Sequence, residues 1–435
     1  MRTPGVQLRI CGITTIRTLR NLWSKKWSKN NGAFPRGHAR QNVSAALSAP
    51  TPGERPRLYF SPRLSPTDMD ETILQFGTGR FLRGFFDRFV QNAADAEHPV
   101  GKIVVVQSTG SGRADALDPE KGYRVHVRGA ANGGIVDRTE RVRSLSRVLV
   151  ASKDWASVRD CAVSPKLRLI VSNTTEAGFA TDPADRFDAE PPASFPGKLT
   201  QLLALRWRAG LPGVTVLPCE LLENNAAKLR ALVLAQAEAW TFGEDFADWL
   251  TDACVWLDTL VDCIVTLPSE PHPDDDAATV QAEPYALLAI AGAGPRPEIP
   301  EHPCIAYVGD LSPYYLRKVR ILNGLHTAMA ALYLPAGKTT VGEVMNDPAC
   351  VIELEALLRN EILPVLDGRA PGADAFADAV SDRFRNPFLS HKLADIAGNH
   401  ELKKAIRLRS TFDEYTARFG SEPPILKKAL AVSLS

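Results

Sequence analysis

No Cys-x-x-Cys pair occurs anywhere in the chain; its seven cysteines, at 11, 161, 219, 254, 263, 304 and 350, are scattered. That spacing argues against a zinc site or a disulfide framework and fits a reducing, cytoplasmic setting. His, Cys and acidic residues form no obvious metal cage, so no metal is expected. No apolar run approaches the ~20 residues of a membrane span, so no membrane partner is expected. Neither charge sign dominates: 51 Lys and Arg face 50 Asp and Glu, for a formal net charge of +1. Such a balance lacks the field that draws nucleic acid, and no nucleic-acid partner is expected for the globular part. At 45% hydrophobic and 23% charged, the composition is that of a soluble globular protein, and 435 residues exceed one typical core.

Acids are missing from one region. The first 53 residues hold nine Lys or Arg and no Asp or Glu, with Trp23 and Trp27 among lysines and serines. A transit peptide, a basic arm for anionic surfaces and an unstructured extension all fit this composition. A nucleic-acid arm would lose its binding on deletion and weaken steeply with salt. Residues 1–68 are set aside as a basic extension.

The globular part opens at "ETILQFGTGRFLRGFFDRFVQNA", residues 71–93. Ile73 to Phe76 reads as a short apolar strand, Gly77-Thr78-Gly79 as a tight turn, and Phe81, Leu82, Phe85, Phe86, Phe89 and Val90 as a helical stripe. "KIVVVQST" (102–109) reads as a parallel second strand. Strand, glycine turn, helix, strand is the unit that cradles a dinucleotide pyrophosphate. The third glycine of G-x-G-x-x-G is replaced by Leu82. The second strand ends in Gln107, Ser108 and Thr109, with Arg113 close behind, rather than in an acid. This leaves NAD and NADP both open. Residues 122–149 read as an antiparallel pair. "LRLIVSNTTEAG" (167–178) and "GVTVLPCELLENNAAKLR" (213–230) each run a buried strand into a polar loop. In an open α/β sheet such loops form the ligand crevice. Asn173, Thr174, Thr175 and Glu176 are therefore expected near the cofactor, and Glu220, Asn224 and Asn225 near cofactor or substrate. Asn224 or Asn225 could equally cap the following helix.

Beyond residue 270 the patterns are mostly helical, at about 313–334, 339–347, 349–364, 373–384 and 388–396. The expected fold is α/β: a Rossmann-type dinucleotide-binding domain over 69–270, then a mostly α-helical substrate-binding domain over 271–435. The segment "LRKVRILNGLHTAM" (316–329) is apolar at steps of three and four, yet carries Lys318, Asn323 and His326. Ser312-Pro313 reads as its start, with Ser312 as cap. All three polar groups fit one arc of the helix. A lysine in an apolar site loses proton affinity and can act as base in alcohol oxidation and acid in ketone reduction. An amide and an imidazole can hold the developing oxyanion.

At K-x4-N-x2-H the chain resembles the mannitol dehydrogenase-type long-chain polyol and hexuronate oxidoreductases, from residue 71 to about 407. The resemblance implies that Lys318 is the general acid/base and that Asn323 and His326 hold the reacting oxygen. "QFGTGRFLRGF" (75–85) is similar to the family's cofactor turn, which implies roles for Phe76, Gly77, Thr78, Gly79, Arg80 and Phe81. "LIVSNTTEAG", "VLPCELLENN" and "PPASFPGKLTQLL" (191–203) resemble the tagaturonate reductase (altronate oxidoreductase) branch, which implies a small sugar-acid substrate and NAD. The resemblance also makes Asn225 and Asp262 substrate-side residues. Arg383, Asn386, His391, Asn399 and Lys403 become candidates for closing the site and binding a carboxylate, with a polar interdomain seam as the equal alternative. Three positions depart from the pattern: Ala226 for Gly, Asp258 for Asn and Cys263 for Arg. Losing that Arg removes a fork donor. Fructuronate, a neutral polyol such as mannitol, and dinucleotide binding without turnover stay open as alternatives.

Overall fold

The computed structural model describes residues 70–110, 112–131, 134–174, 178–268, 270–292, 298–389 and 391–434. The basic extension and the cofactor candidates Thr175 and Glu176 lie outside the described residues. Strands β1 (Glu71–Phe76), β2 (Lys102–Gln107), β3 (Tyr123–Ala131), β4 (Gly134–Val142), β5 (Leu145–Val150), β6 (Leu169–Ser172), β7 (Thr215–Pro218) and β8 (Val255–Trp256) come first in the chain. Six of them form one sheet in the order β5-β2-β1-β6-β7-β8, and every pairing is parallel. In the sheet's own numbering this is 3-2-1-4-5-6, the doubly wound order whose direction switches between β1 and β6. The strands read as near-continuous Val, Ile and Leu because both faces are covered. One face packs on Phe85, Phe86 and Phe89, the other on Trp155, Leu199, Leu202 and Leu229.

The turn after β1 sits at that switch point. Gly77 has φ +131°, and a Cβ there would stand 3.0 Å from the Asn173 carbonyl oxygen. Helices α1 (Arg80–Gly84) and α2 (Phe86–Asp95) follow, separated at Phe85.

Part of the expected antiparallel pair departs from the sequence reading. β3 and β4 do pair antiparallel, but β5 leaves them to join the main sheet. Strands also continue past residue 270. β9 (Asp258–Asp262), β10 (Val265–Thr266), β11 (Val280–Ala282), β12 (Leu287–Ala291) and β13 (Ile305–Val308) build two small sheets, β10-β11-β3-β4 and β13-β12-β9. Their apolar residues join the core on the α2 side of the main sheet. Helices follow from Ser312 onward around a separate core that includes Ile321, Leu325, Met329, Leu357, Val380, Leu408 and Leu426.

Buried polar groups join these two parts. Arg383, on the helix Ala373–Phe384, is 4% exposed. Its guanidinium donates to both oxygens of Asp262 at 3.0 and 3.1 Å and to both oxygens of Glu283 at 2.9 and 2.7 Å. Asp262 ends β9, and Glu283 follows β11. Asn386 donates to the Arg128 carbonyl on β3 at 3.0 Å and accepts from the Phe388 N–H at 3.0 Å. Gln281 donates to the Phe388 carbonyl at 2.6 Å. Fork geometry matters here, because the planar guanidinium can give two bonds to each of two carboxylates at once. Removing one partner of a buried pair leaves an uncompensated charge. Arg383→Ala should therefore lose about 3–5 kcal/mol of stability in urea unfolding. A loss as small as that of an exposed ion pair, under about 1 kcal/mol, would contradict this picture of the seam.

Candidate active site

Two concave regions carry most of the candidate residues, and a third, of about 220 Å³, is lined by Glu220 and Asn224. The first is a cleft of about 900 Å³ at the carboxyl ends of β1, β2 and β6. Gly77, Thr78, Gly79, Asn173 and Thr174 line it together. Glycine 79 has nothing within 4 Å of its would-be Cβ, so the backbone lies open to the cleft. Phe76, Arg80 and Phe81 do not line it. Phe76 is fully buried against Phe195, Phe81 stacks on Phe85, and Arg80 is exposed. The Gln107 side chain bridges the loop after β2, donating to the Thr109 carbonyl at 3.1 Å and accepting from the Ala114 N–H at 3.0 Å. Arg113 also lines the cleft, and its N–H donates to Thr78 Oγ1 at 3.3 Å.

Lys198 is the cation in this cleft that the sequence reading did not single out. It is 3% exposed, lines the cleft, and donates to the Ala193 carbonyl at 2.6 Å; burial lowers its pKa. Its helix (Phe195–Arg208) starts at Ser194, whose Oγ accepts from the Gly197 N–H at 3.0 Å. The only sequence signal was its place inside "PPASFPGKLTQLL".

Glu220 stands next to the cleft, behind Thr174, without lining it. It is 1% exposed and accepts from Ser172 Oγ at 3.0 Å, the Thr174 N–H at 2.8 Å and Thr174 Oγ1 at 3.1 Å. It shapes the loop after β6 from behind. Asn225 is likewise fully buried. Its amide donates to the Pro218, Glu220 and Thr259 carbonyls at 3.0–3.2 Å and accepts from the Thr259 N–H at 2.9 Å. These bonds tie the end of β7 to β9, so the amide faces backbone instead of an open cavity. Helix capping is also reassigned. Asn224 is left-handed (φ 53°) with no capping bond, and Asp258 Oδ1 instead accepts from the Ala226 and Ala227 N–H groups at 2.8 and 3.1 Å. Asp258 thus holds the start of the helix Asn225–Ala239 across space.

The second region is a cavity of about 290 Å³ between β9 and the helical part. Lys318, Asn323, His326, His391, Lys403 and Asp262 line it together. Residues 312–333 are helical throughout, with Asp310 Oδ1 accepting from the Ser312 N–H at 2.9 Å in place of the expected Ser312 cap. The stretch Arg317–Asn323 is a π-helical turn. Its i→i+5 pattern widens the turn and stacks residues five apart, so Lys318 and Asn323 draw together more closely than α-helical spacing allows.

The Lys318 side chain is 12% exposed; its ammonium donates to the Val261 carbonyl at 2.5 Å and stands 3.9 Å from Asp262. Burial, opposed by Asp262 and assisted by Arg383, lowers its pKa below the usual lysine value. Asp262 itself is held below the usual carboxylate value, against its burial, by Arg383 and Lys318. His326 is 7% exposed, its Nε2 is buried with no hydrogen-bond partner, and its ring lies 4.7 Å from that of His391 and 4.6 Å from Phe384. Burial pushes its pKa well down, with His391 and Arg383 adding to the effect, so the ring stays neutral. Lys403 donates to the Ile396 carbonyl at 2.8 Å.

Arg383 and Asn386 are not in this cavity. Arg383 is engaged by its own two carboxylates, and Asn386 by backbone, so both belong to the seam and neither is open to a ligand. Asn399 sits left-handed at the start of the helix His400–Lys404 with no capping bond. Arg407 does line the cavity, donating to Thr327 Oγ1 at 3.3 Å. The sequence did hold a signal for it: Arg407 follows Lys403 by four residues, one turn along the same face. Cys263 stands beside Asp262 in the cavity wall, and burial pushes its thiol up.

The chain matches the family model of the mannitol dehydrogenase Rossmann domain over residues 71–301 and that of the mannitol dehydrogenase C-terminal domain over residues 310–416. It is 37% identical over 392 residues to an altronate oxidoreductase of Halalkalibacterium halodurans, covering 86% of this chain and 76% of that protein. The altronate oxidoreductase of Bacillus subtilis is 37% identical over 378 residues, 82% of this chain and 78% of that one. Among solved structures, the Pseudomonas fluorescens mannitol 2-dehydrogenase complex with NAD and D-mannitol superposes with a TM-score of 0.70 at 23% identity, covering 84% of this chain and 80% of that chain. With both domains matched and relatives of this identity over most of both chains, the protein belongs to the mannitol dehydrogenase family, oxidoreductases acting on CH–OH groups.

Proposed function

We propose that the protein interconverts tagaturonate and altronate, with NAD as its cofactor and Lys318 as the general acid/base. One observation carries this reading: a single cavity holds a largely enclosed lysine of lowered proton affinity, an amide, an imidazole with an unpartnered Nε2, and two further cations, Lys403 and Arg407. The first three suit a carbinol–carbonyl exchange, and the cations suit a carboxylate. The relatives named altronate oxidoreductase support the same choice.

The Gly77–Gly79 turn, Asn173, Thr174 and the cleft at the switch point fit a nicotinamide dinucleotide. That group supplies or accepts the hydride when bound. The chain supplies the proton. In reduction, protonated Lys318 gives its proton to the carbonyl oxygen as the alcohol forms. In oxidation, neutral Lys318 takes the hydroxyl proton. Asn323 and His326 hold that oxygen, and Lys403 and Arg407 hold the carboxylate. Asp262 keeps the amine within reach through its ion pair.

Purified protein should oxidise NADH in the presence of tagaturonate, faster than with fructuronate, NADPH or the neutral ketose fructose. The NADPH arm matters because Arg113 lines the cleft, and a guanidinium there could meet a 2′-phosphate. Lys318→Ala should lower kcat by about 10²–10⁴ while NADH binding by fluorescence is kept. Binding of NADH with no turnover on any of these substrates, and none lost in Lys318→Ala, would favour a dinucleotide-binding protein instead.

The pH dependence has a fixed sign. Oxidation needs the neutral amine, so its rate should rise with pH through the lowered Lys318 pKa and then level. Reduction needs the ammonium, so its rate should fall over the same interval. Profiles in both directions with the same slope would remove Lys318 from the proton step. Lys403→Ala should raise KM for tagaturonate about tenfold, roughly one charge-assisted hydrogen bond.

A further inference from the structure

We propose that the C-terminal helix Pro424–Ala431 is a clamp that fixes the helical segment carrying Lys403 and Arg407, with Glu361 and Lys404 as its positioning residues. This rests on the reading that Lys403 and Arg407 meet the substrate carboxylate.

The clamp helix has eight residues, too few to be stable by itself. Its place is set from outside at both ends. At its start, the Ile425 and Leu426 N–H groups donate to the two oxygens of Glu361 at 2.8 Å each. At its end, Lys404 Nζ donates to the carbonyls of Leu430 and Val432 at 3.1 and 2.6 Å. The same ammonium meets Glu401 at 2.9 Å. Glu361 is 3% and Lys404 5% exposed. A carboxylate at the N-terminus and an ammonium at the C-terminus are the signs the helix dipole favours. Leu426 and Ala429 are fully buried in the same core as Leu325 and Leu408.

Residues 400–409 therefore present two faces. Lys403 and Arg407, four apart, line the substrate cavity. Lys404 and Leu408, also four apart, are buried on the side of the C-terminal helix. Cation–carboxylate hydrogen bonds are strong only near 2.7–2.9 Å, so a shift of about an ångström in this segment is felt by the substrate. Lys318, Asn323 and His326 stand on a different helix; its Leu325 shares a core with Leu426 and Ala429, but the bonds of Glu361 and Lys404 go to the C-terminal helix and not to that one. The clamp should thus act on substrate affinity and leave the proton step alone. It also lies beyond residue 416, where the matched family domain ends.

The test uses steady-state kinetics of the full chain with tagaturonate and NADH. Lys404→Met should raise KM for tagaturonate about tenfold, with kcat and KM for NADH unchanged, and Lys404→Arg should restore most of the affinity. Glu361→Gln, which keeps one acceptor, should raise the same KM about threefold and carries the test if Lys404→Met does not fold. Unchanged KM in both variants, or kcat falling in step with KM, would overturn the clamp. Lys403→Ala separates the two claims. If it leaves KM for tagaturonate unchanged, the carboxylate reading fails; if it raises KM while Lys404→Met and Glu361→Gln do not, the clamp alone fails.

Discussion

A guanidinium buried between two carboxylates cannot release either without stranding a charge, and Arg383 holds Asp262 and Glu283 in this way. Asp262 ends a strand of one small sheet, Glu283 follows a strand of the other, and Arg383 comes from the helical part. Three elements far apart in the chain thus meet at one side chain. The cavity with Lys318 opens directly beside that meeting point, since Asp262 belongs to both.

Burial sets the state of Lys318, and the same ion pair limits what opposes it. A lone carboxylate 3.9 Å away would hold an ammonium by about 4 kcal/mol at an effective dielectric of ~20, enough to keep the lysine charged. Asp262 is already shared with Arg383, so its pull on Lys318 is weakened and burial prevails. A lysine with reduced proton affinity releases its proton more readily than an ordinary one and can still take it back, the two steps that reduction and oxidation call for. Glu283 takes the other side of the Arg383 fork.

Local patterns were legible in the sequence where one element sufficed. The strand, glycine turn and helix at 71–93, the parallel partner at 102–107 and the apolar helix around Lys318 follow from periodicity and turn chemistry. So did the grouping of Lys318, Asn323 and His326 on one side of a helix. Its π-helical turn did not, because nothing in residue type marks an i→i+5 pattern. Strands β9 to β13 are short, and the loops around them are rich in Pro and Asp, so their pairings arise from tertiary contact. Where a partner comes from afar, the sequence left two roles open or took one from the resemblance, and the structure chooses; for Arg383 it chooses the polar seam. Asp258 caps a helix whose own Asn224 does not, Asn225 bonds backbone, and Arg383 answers two of the chain's own acids. Arg407 was missed although its spacing from Lys403 was in plain view.

The central claim is that the Lys318 amine itself moves the proton. It is tested most directly by restoring that amine from solution to Lys318→Ala. With tagaturonate and NADH, small primary amines should recover turnover in proportion to their concentration, and the recovered rate should follow the pKa of the added amine. Failure of every amine to recover turnover, in a variant that still binds NADH and tagaturonate, would contradict the account and place the proton step on another group.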